Sequence, residues 1–307
     1  MRMRLPLAPL ALFGLLVAAP SAPAQSRVDE RRPASANGLV EIENPVGSVR
    51  VIAWSRDEVQ VTGTLGQRAS GLDFVSRPNR TRIQVEVEGN PHRVSSDLEV
   101  RVPAGSRVQV ESYSGSIEVR DVSGRVKAES VSGSITITGG KTAEIDAESV
   151  SGAVSITGPA TRVRAGSTNA SVTIRGTSGV LHAETTNGAL QVSGGDFQEA
   201  RLESVNGVIR FEGGLLTGAS LDVESVNGSI ELRLPANVGA DFTVSSYGGA
   251  IDSDFEVQLA PSRARSAERG RDRHRNDSEK ELHFTTGGGG ANVAVSTLNG
   301  RIALRKR

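Results

Sequence analysis

The chain has 307 residues, 37% of them hydrophobic and 23% charged, which is enough for a domain with a buried core. It contains no cysteine, and this excludes a disulfide framework, a cysteine-ligated zinc or iron–sulfur site and a thiol nucleophile. Its 35 basic and 35 acidic residues balance, which argues against nucleic acid as the main partner, because nucleic-acid binding needs a clustered positive surface.

The first residues have the pattern of a secretory signal. Arg2 and Arg4 precede an apolar stretch at 5–19, and Ala-Pro-Ala at 22–24 supplies the small residues that a signal peptidase accepts. An uncleaved membrane anchor is disfavoured, because 15 residues with two prolines are too few to span a bilayer as a stable helix. Residues 1–24 are therefore predicted to be a cleaved signal peptide, and the mature chain is expected in the periplasm, in the cell envelope or outside the cell.

A repeat of 18–21 residues runs through 111–260. Each unit has a corner of the type Ser-Val-Ser-Gly or Ser-Val-Asn-Gly, with a serine or threonine three positions before the glycine. The glycine place falls at positions 115, 133, 152, 170, 188, 207, 228 and 249, and position 170 has alanine instead. Glycine, and to a lesser degree asparagine, is predicted at these corners because it tolerates positive φ angles.

Between the corners, apolar and polar residues alternate in short runs, which is typical of β-strands. Two strands per unit fit either an antiparallel meander or a solenoid. Like residues at every corner favour the solenoid, because coils stacked about 4.8 Å apart let equal hydroxyls and amides bond along a ladder. The sequence therefore predicts an all-β, single-chain β-solenoid (β-helix) of about eight or more coils of 18–21 residues.

The segments on either side of the repeat are less regular. Residues 38–110 alternate like strands but repeat only loosely, and they are predicted to form irregular β-rich leading coils, or a small sheet, over the first edge of the solenoid. Residues 25–37 are expected to be a flexible N-terminal segment. Residues 282–307 are expected to be closing strands, and the basic residues at 305–307 to discourage edge-to-edge growth from the last strand.

Residues 261–281 interrupt the last coils with a charged, arginine-rich stretch that is poor in aliphatic residues. They are predicted to be a disordered, solvated insertion. The alternative is an arm that contacts lipid phosphate or an acidic glycan through its arginines. These arginines are Arg263, Arg265, Arg269, Arg271, Arg273 and Arg275.

The sequence predicts no catalytic, cofactor-binding or metal-binding residue. The nucleophile elbow, a serine between two glycines at alternate positions, does not occur. The glycine run at 287–290 completes neither the phosphate-loop pattern nor the dinucleotide fingerprint, and it is expected to be a flexible turn. The four histidines have no metal-ligand spacing among them: His92, His182, His274 and His283.

A column of acidic residues crosses the repeat, because a glutamate precedes the corner hydroxyl in six units: Glu111, Glu129, Glu148, Glu184, Glu203 and Glu224. Stacking would place these like charges about 5 Å apart, interrupted at Gly166, at a cost of roughly 1 kcal/mol per pair in water. Four residues two positions earlier can neutralise them in part: Lys127, Arg164, His182 and Arg201. A screened solvent face is therefore predicted, and the alternative is binding of a divalent cation, for which the clustered aspartates of a calcium loop are missing.

The motifs LEVRVP at 98–103 and VQVESYSGSI at 108–117, followed by the serial Ser-Gly and Asn-Gly units, resemble the "putative adhesin" family of bacterial envelope proteins. The resemblance covers about 38–304. It implies a domain of unknown function with a β-solenoid fold, exported or envelope-associated and sometimes encoded near stress regulators. It provides no catalytic residues to transfer, and the arginine-rich insertion departs from the compact family pattern.

Three functions from different classes fit these features. The favoured hypothesis is a non-enzymatic, adhesin-like envelope or surface protein that presents a sheet face to a protein or glycan for binding or scaffolding. The second is a periplasmic sensor or regulator of envelope stress. The third, a glycan-cleaving β-helix enzyme, is disfavoured because aromatic residues make up only 3% of the chain, and sugar platforms need them. No cofactor, nucleic-acid partner or transmembrane segment of the mature chain is expected, and self-association stays open because solenoid ends can stack.

Overall fold

The computed structural model describes residues 26–66, 69–87, 89, 95–256 and 280–307. Within these ranges every regular element is a β-strand, which confirms the all-β prediction. The strands are β1 (Ser26–Pro33), β2 (Leu39–Val46), β3 (Val49–Trp54), β4 (Glu58–Leu65), β5 (Ala69–Arg77), β6 (Arg80–Val87), β7 (Asp97–Pro103), β8 (Arg107–Ser114), β9 (Ile117–Arg120), β10 (Val126–Ser130), β11 (Ile135–Thr138), β12 (Thr142–Ser149), β13 (Val154–Thr157), β14 (Ala160–Ser167), β15 (Val172–Arg175), β16 (Gly179–Thr185), β17 (Leu190–Ser204), β18 (Ile209–Ser225), β19 (Ile230–Leu234), β20 (Ala240–Ser246), β21 (Ile251–Ser253), β22 (Lys280–Thr286), β23 (Ala291–Thr297) and β24 (Ile302–Lys306).

The strands form two hydrogen-bonded rows, and each coil contributes one strand to each row. The first row has the spatial order β5–β6–β2–β8–β10–β12–β14–β16–β17–β18–β23–β20–β22. The second row has the order β1–β4–β7–β3–β9–β11–β13–β15–β17–β18–β19–β24–β21. The long strands β17 and β18 bend through both rows. This arrangement confirms the predicted β-solenoid.

A pair of strands, one from each row, makes a rung of the solenoid. The described residues form eleven rungs, in spatial order β6/β7, β2/β3, β8/β9, β10/β11, β12/β13, β14/β15, β16/β17, β17/β18, β18/β19, β23/β24 and β20/β21. At about 4.8 Å per rung the stack is about 48 Å long.

The core lies between the two rows and follows directly from the period of two. In β10, Val126 and Ala128 are fully buried, while the alternating residues Lys127 and Glu129 face outward and are half-buried. The middle strands of the second row bury larger residues, such as Ile156 in β13. Because each coil buries only a few aliphatic side chains, a coil needs the hydrogen bonds and apolar surface of its neighbours to remain folded.

The N-terminal end contains two regular rungs and several antiparallel strands. The rung β2/β3 lies directly beside β8/β9, and the later rung β6/β7 lies outside it, so the chain doubles back here. The strands β4 and β5 run antiparallel to their neighbours and cover this end of the core. Phe74 of β5 is buried there.

Residues 26–33 form β1, so the expectation of a flexible segment at 25–37 is wrong for this part. All eight residues of β1 pair with β4, and Gln60 donates a hydrogen bond to Asp29 (2.9 Å). Most side chains of β1 are exposed. Backbone pairing at a sheet edge rather than apolar burial holds the strand, which is why no hydrophobic pattern indicated it.

The last rungs depart from sequence order. β23 lies between β18 and β20, and β24 lies between β19 and β21. After β19 the chain therefore skips one rung, forms the outermost rung with β20 and β21, and returns to fill the gap with its final strands. The prediction that successive windings stack in order is wrong at this end, because the corner chemistry requires only that neighbours be alike.

The C-terminal end is closed by an aromatic stack and by β22. Phe284 of β22 stacks on Phe242 with ring centroids 4.6 Å apart and an interplanar angle of 2°, and Phe255 lies 5.6 Å from the same ring. The outer strands are the three-residue β21 and the antiparallel β22. β24 pairs with β19 as far as Lys306, whereas its pairing with β21 ends at Leu304. The expectation that the basic residues at 305–307 discourage edge-to-edge growth stays a prediction. The insertion at 261–279 lies outside the described residues, and residues 280–281 begin β22.

Candidate functional site

One edge of the solenoid carries the corners, and in five of them a described hydroxyl donates to the corner carbonyl of a neighbouring coil, whereas Ser112 Oγ is buried without a hydrogen bond to any described residue. Ser149 accepts a hydrogen bond from the amide of Gly152 (2.9 Å) and donates one to the carbonyl of Gly133 in the preceding coil (3.0 Å). Ser167 repeats this arrangement with the amide of Ala170 (3.1 Å) and the carbonyl of Gly152 (3.0 Å). These bonds confirm the predicted ladder.

The corner glycines owe their identity to close packing. A Cβ on Gly152 would lie 1.9 Å from the carbonyl oxygen of Gly133, and a Cβ on Gly207 would lie 1.7 Å from that of Gly188. Neither Gly152 nor Gly207 has a positive φ angle. The explanation from positive φ is therefore wrong for these corners, whose backbones approach too closely for a side chain.

Five asparagines extend the ladder on the outside of the corners. Four hydrogen bonds of 2.9–3.0 Å join them, each from the side-chain amide nitrogen of one asparagine to the amide oxygen of the next. The order along the stack is Asn169, Asn187, Asn206, Asn227 and Asn299. Asn299 belongs to the inserted C-terminal rung, so the ladder continues into that rung.

An exposed apolar line runs beside the asparagines. The residue after each corner hydroxyl is large and apolar in seven coils, and these residues form what we call the corner ridge: Tyr113, Val131, Val150, Val205, Val226, Leu298 and Tyr247. Their exposed fractions are 38–48%, and seven of the nine exposed large hydrophobic residues in the described part of the chain lie in this line. Thr168 and Thr186 hold this place in two neighbouring coils, so the ridge consists of two apolar segments separated by two polar rungs. Solvated corners do not require exposed apolar residues, so these segments indicate a contact surface.

The predicted glutamate column lies next to the ridge on the first row. Strand register places Glu129 beside Glu148, and Glu203 beside Glu184 and Glu224, with Gly166 in the gap. We call the five members that line the groove the acidic wall: Glu129, Glu148, Glu184, Glu203 and Glu224.

Three basic side chains contact the acidic wall, two of them from two residues earlier on the same strand and Arg164 from the neighbouring strand β14. Lys127 Nζ lies 2.8 Å from Glu129, Arg164 lies 3.2 Å from Glu148, and Arg201 pairs with Glu203. The hydrogen bond to Glu129 raises the pKa of Lys127, and the bond to Glu203 raises the pKa of Arg201. These contacts support the predicted screening of the column.

Asp146 of β12 lies in register between Lys127 of β10 and Arg164 of β14. Its pKa is raised first by burial and then by the Glu148 carboxylate, although Lys127 and Arg164 act in the opposite direction. Ionisation of Asp146 is therefore less favourable in the folded protein than in the unfolded chain.

The ridge and the acidic wall border an open groove along the stack. The groove has a volume of about 860 Å³, and its floor consists of the corner hydroxyls. Its lining contains the five glutamates of the wall and no lysine, arginine or histidine. The groove extends over eight rungs, from Glu129 to Tyr247, or about 34 Å at about 4.8 Å per rung.

The remaining candidate residues do not converge on a site. His182 lies 3.7 Å from Glu184, and His283 of β22 lies 2.9 Å from Glu281. His92, His274 and the six arginines of the insertion lie outside the described residues. In the described part of the chain, no group of three or more histidine, aspartate or glutamate residues is placed to hold a metal ion.

Sequence reasoning identified the glutamate column but not the ridge. The signal was present as an apolar residue between the hydroxyl and the serine or asparagine of most corners, at a place where turns are usually polar. That apolar residue was treated only as a marker of the repeat and not as a surface feature. The sequence alone does not show whether a corner side chain points inward or outward.

The chain resembles known proteins at the level of the whole domain. A family model described as Toastrack DUF4097 matches residues 40–305. No curated protein matches the chain. The crystal structure of a "putative adhesin" from Bacteroides fragilis NCTC 9343 is 12% identical, with a TM-score of 0.42, and covers 92% of this chain and 98% of its own. That of a "putative cell adhesion protein" from Clostridium sporogenes ATCC 15579 is 7% identical, with a TM-score of 0.21, and covers 92% of this chain and 100% of its own.

The family match agrees with the geometry on the fold. The family match confirms the expected domain of unknown function with a β-solenoid fold. Among the described residues, no helix is long and apolar enough to cross a membrane.

Proposed function

Because this chain belongs to the family of Toastrack DUF4097 proteins, we propose that it is a non-enzymatic protein of the cell envelope or surface that binds its partner in the groove. The secretory pattern of residues 1–24 supports the location. The observation that carries the proposal is the corner ridge, which lies along an acidic wall over most of the stack.

The shape of the groove suits binding to an extended surface better than catalysis. It is open along its length, and its carboxylates are spaced by the rung repeat rather than converging on one point. Catalytic sites instead bring a few groups of differing pKa into one enclosed pocket. The groove therefore supports adhesion or scaffolding, in which many similar weak contacts add up.

The proposal is tested by making the ridge polar. A Val205→Ser, Val226→Ser double variant of the mature chain is expected to bind envelope fragments of the producing bacterium about tenfold more weakly than wild type, which corresponds to about 1.4 kcal/mol. The matched control is Val75→Ser, Leu216→Ser, which changes two equally exposed apolar residues outside the groove. Equal binding by the two double variants would show that the groove is not the binding face. Release of sugar from purified polysaccharides by the wild-type protein would contradict a non-enzymatic role.

A further inference from the structure

The charge of the groove indicates the charge of its partner. Five carboxylates line it without a basic residue, and the side chains of Glu148 and Glu184 are 46% and 47% exposed. Among the described residues, Glu224 makes no ion pair within 4.0 Å. Lys127, Arg164 and Arg201 pair with three members of the wall and Gly166 interrupts it, but the only charged side chains of the groove lining itself are negative. An anionic glycan or lipid phosphate would meet net repulsion there, whereas lysine or arginine side chains would find carboxylate acceptors on either side of the gap at Gly166.

The hydrogen bonding of the corners indicates the secondary structure of the partner. The backbone amides of Val150 and Val205 donate to the backbone carbonyls of Ser130 and Thr185 in the neighbouring coils, and the other corners repeat this pattern. The backbone amides beneath the groove are therefore already hydrogen-bonded within the solenoid. A segment that lies along the groove in an extended conformation would leave its own amides and carbonyls without partners there, but an α-helix satisfies them internally.

The dimensions of the groove also fit a helix. One turn of an α-helix rises about 5.4 Å against a rung spacing of about 4.8 Å, so neighbouring turns face neighbouring rungs over short stretches, and about six turns cover the eight rungs of the groove. A helix of about 22 residues spans the groove length of about 34 Å. An apolar row at every third or fourth residue would pack on the corner ridge, and a neighbouring basic row would face the acidic wall.

A neutral glycan is the other linear ligand of this length, and the lining disfavours it. Sugar rings bind on aromatic faces, and Tyr247 is the sole aromatic residue of the lining, at one end of the groove. We propose that the groove binds a cationic, amphipathic α-helix of a partner protein, with apolar side chains on the corner ridge and basic side chains on the acidic wall. This inference rests on the proposed function.

The experiment uses defined helical peptides and the mature chain. The probe is a 22-residue peptide, about the length of the groove, with one leucine row and one adjacent lysine row, and binding is measured by fluorescence anisotropy together with the circular dichroism of the peptide. Two further peptides serve as controls: one has glutamate in place of lysine, and the other keeps the charge but has two central prolines. Only the first peptide is expected to bind and to gain helicity.

Charge variants test whether binding occurs at the wall. Glu148→Gln, Glu203→Gln is expected to bind the lysine peptide about tenfold more weakly. The matched control, Glu212→Gln, Glu231→Gln, removes the same charge from the second row and is expected to bind like wild type. Equal binding of the proline peptide or of the glutamate peptide, or equal losses in the two double variants, would overturn the inference.

The outcomes separate this inference from the proposed function. If the lysine peptide fails to bind while the ridge variant still loses envelope binding, the helical partner is wrong and the groove function stands. If the ridge variant keeps envelope binding, the groove function itself is wrong. If wild type forms a dimer that Glu148→Gln, Glu203→Gln dissociates, the occupant is a second copy of the chain and the proposal of another protein is overturned.

Discussion

At the corners, a single serine hydroxyl makes two hydrogen bonds that join two coils. Ser149 is 6% exposed. Its hydroxyl accepts a hydrogen bond from the amide of Gly152 and donates one to the carbonyl of Gly133. Its removal would leave a buried amide and a buried carbonyl without this partner. The cost of such groups is greater than the net value of an ordinary exposed hydrogen bond.

Ser149→Ala is therefore expected to lower the free energy of unfolding by about 1–3 kcal/mol. The measurement is urea denaturation followed by far-ultraviolet circular dichroism. Ser151→Ala, at the exposed serine of the same corner, is the control and is expected to have little effect. Equal stability of the two variants would show that the hydroxyl ladder does not stabilise the stack.

Asp146 provides a pH-dependent test at the same scale. Because its pKa is raised in the folded state, the native protein holds a proton that the unfolded chain releases first, and stability falls as pH rises through the interval between the two pKa values. Asp146→Asn is expected to raise the melting temperature at about pH 7, and to lose this advantage at about pH 3, where the carboxyl is protonated in both states. An equal gain at both pH values would show that charge is not the cause.

Among the strands, the C-terminal pair β23 and β24 lies between two rungs formed by earlier parts of the chain, β18/β19 on one side and β20/β21 on the other. Thr297 donates to the carbonyl of Gly228 (3.3 Å), and a Cβ on Gly249 would lie 1.7 Å from the carbonyl oxygen of Gly300. The outermost rung β20/β21 therefore rests on the inserted strands rather than on β18 and β19.

Removal of residues 291–307 is expected to detach β20–β22 and leave the middle of the stack folded. Hydrogen–deuterium exchange is the measurement: amides of 240–246 should lose protection, and amides of 126–175 should keep it. Adding a synthetic 291–307 peptide is expected to restore protection, while a full-length Arg305→Ala, Lys306→Ala variant serves as the control. Undiminished protection at 240–246 would mean that β20 pairs directly with β18.

The sequence predicted the middle of the solenoid well, since the corner hydroxyls, glycines and alternating aliphatics are repeated in each coil. It did not predict which coils are neighbours at the ends. Leu298-Asn299-Gly300 is as good a corner as Ser246-Tyr247-Gly248-Gly249, so local chemistry fits either order. β1 was missed because most of its side chains are exposed and backbone pairing with β4 runs along its whole length, which leaves no hydrophobic pattern in the sequence. The ridge was missed because alternation breaks down at corners.

As a whole molecule, the solenoid ends in strands that resist further pairing. Its four outermost strands are β1 and β5 at one end and β21 and β22 at the other. β1 carries charged residues at Arg31 and Arg32, and β21 has three residues. Charged or very short edge strands reduce the tendency of a sheet to add strands from another molecule.

Deletion of residues 26–37 is expected to uncover the edge of β4 and to promote self-association. Size-exclusion chromatography with light scattering should show species larger than those of wild type at the same concentration. Arg31→Ala, Arg32→Ala, which keeps the backbone of β1 but removes two charges, separates loss of the strand from loss of charge and is expected to have the smaller effect. A deletion variant with the wild-type mass would show that β1 is not a protective edge.

The doubling back at both termini limits how such a chain gains or loses length. In the middle, a chain that leaves one winding enters the next, so a duplicated unit of 18–21 residues joins without disturbing any other connection. At the termini, the position next to the last winding in sequence order is already filled by a strand from another part of the chain, so an added unit could not stack there. Gain or loss of whole units is therefore confined to the region between the corners of Gly115 and Gly228, and proteins of different length built on this plan should keep the same first and last rungs.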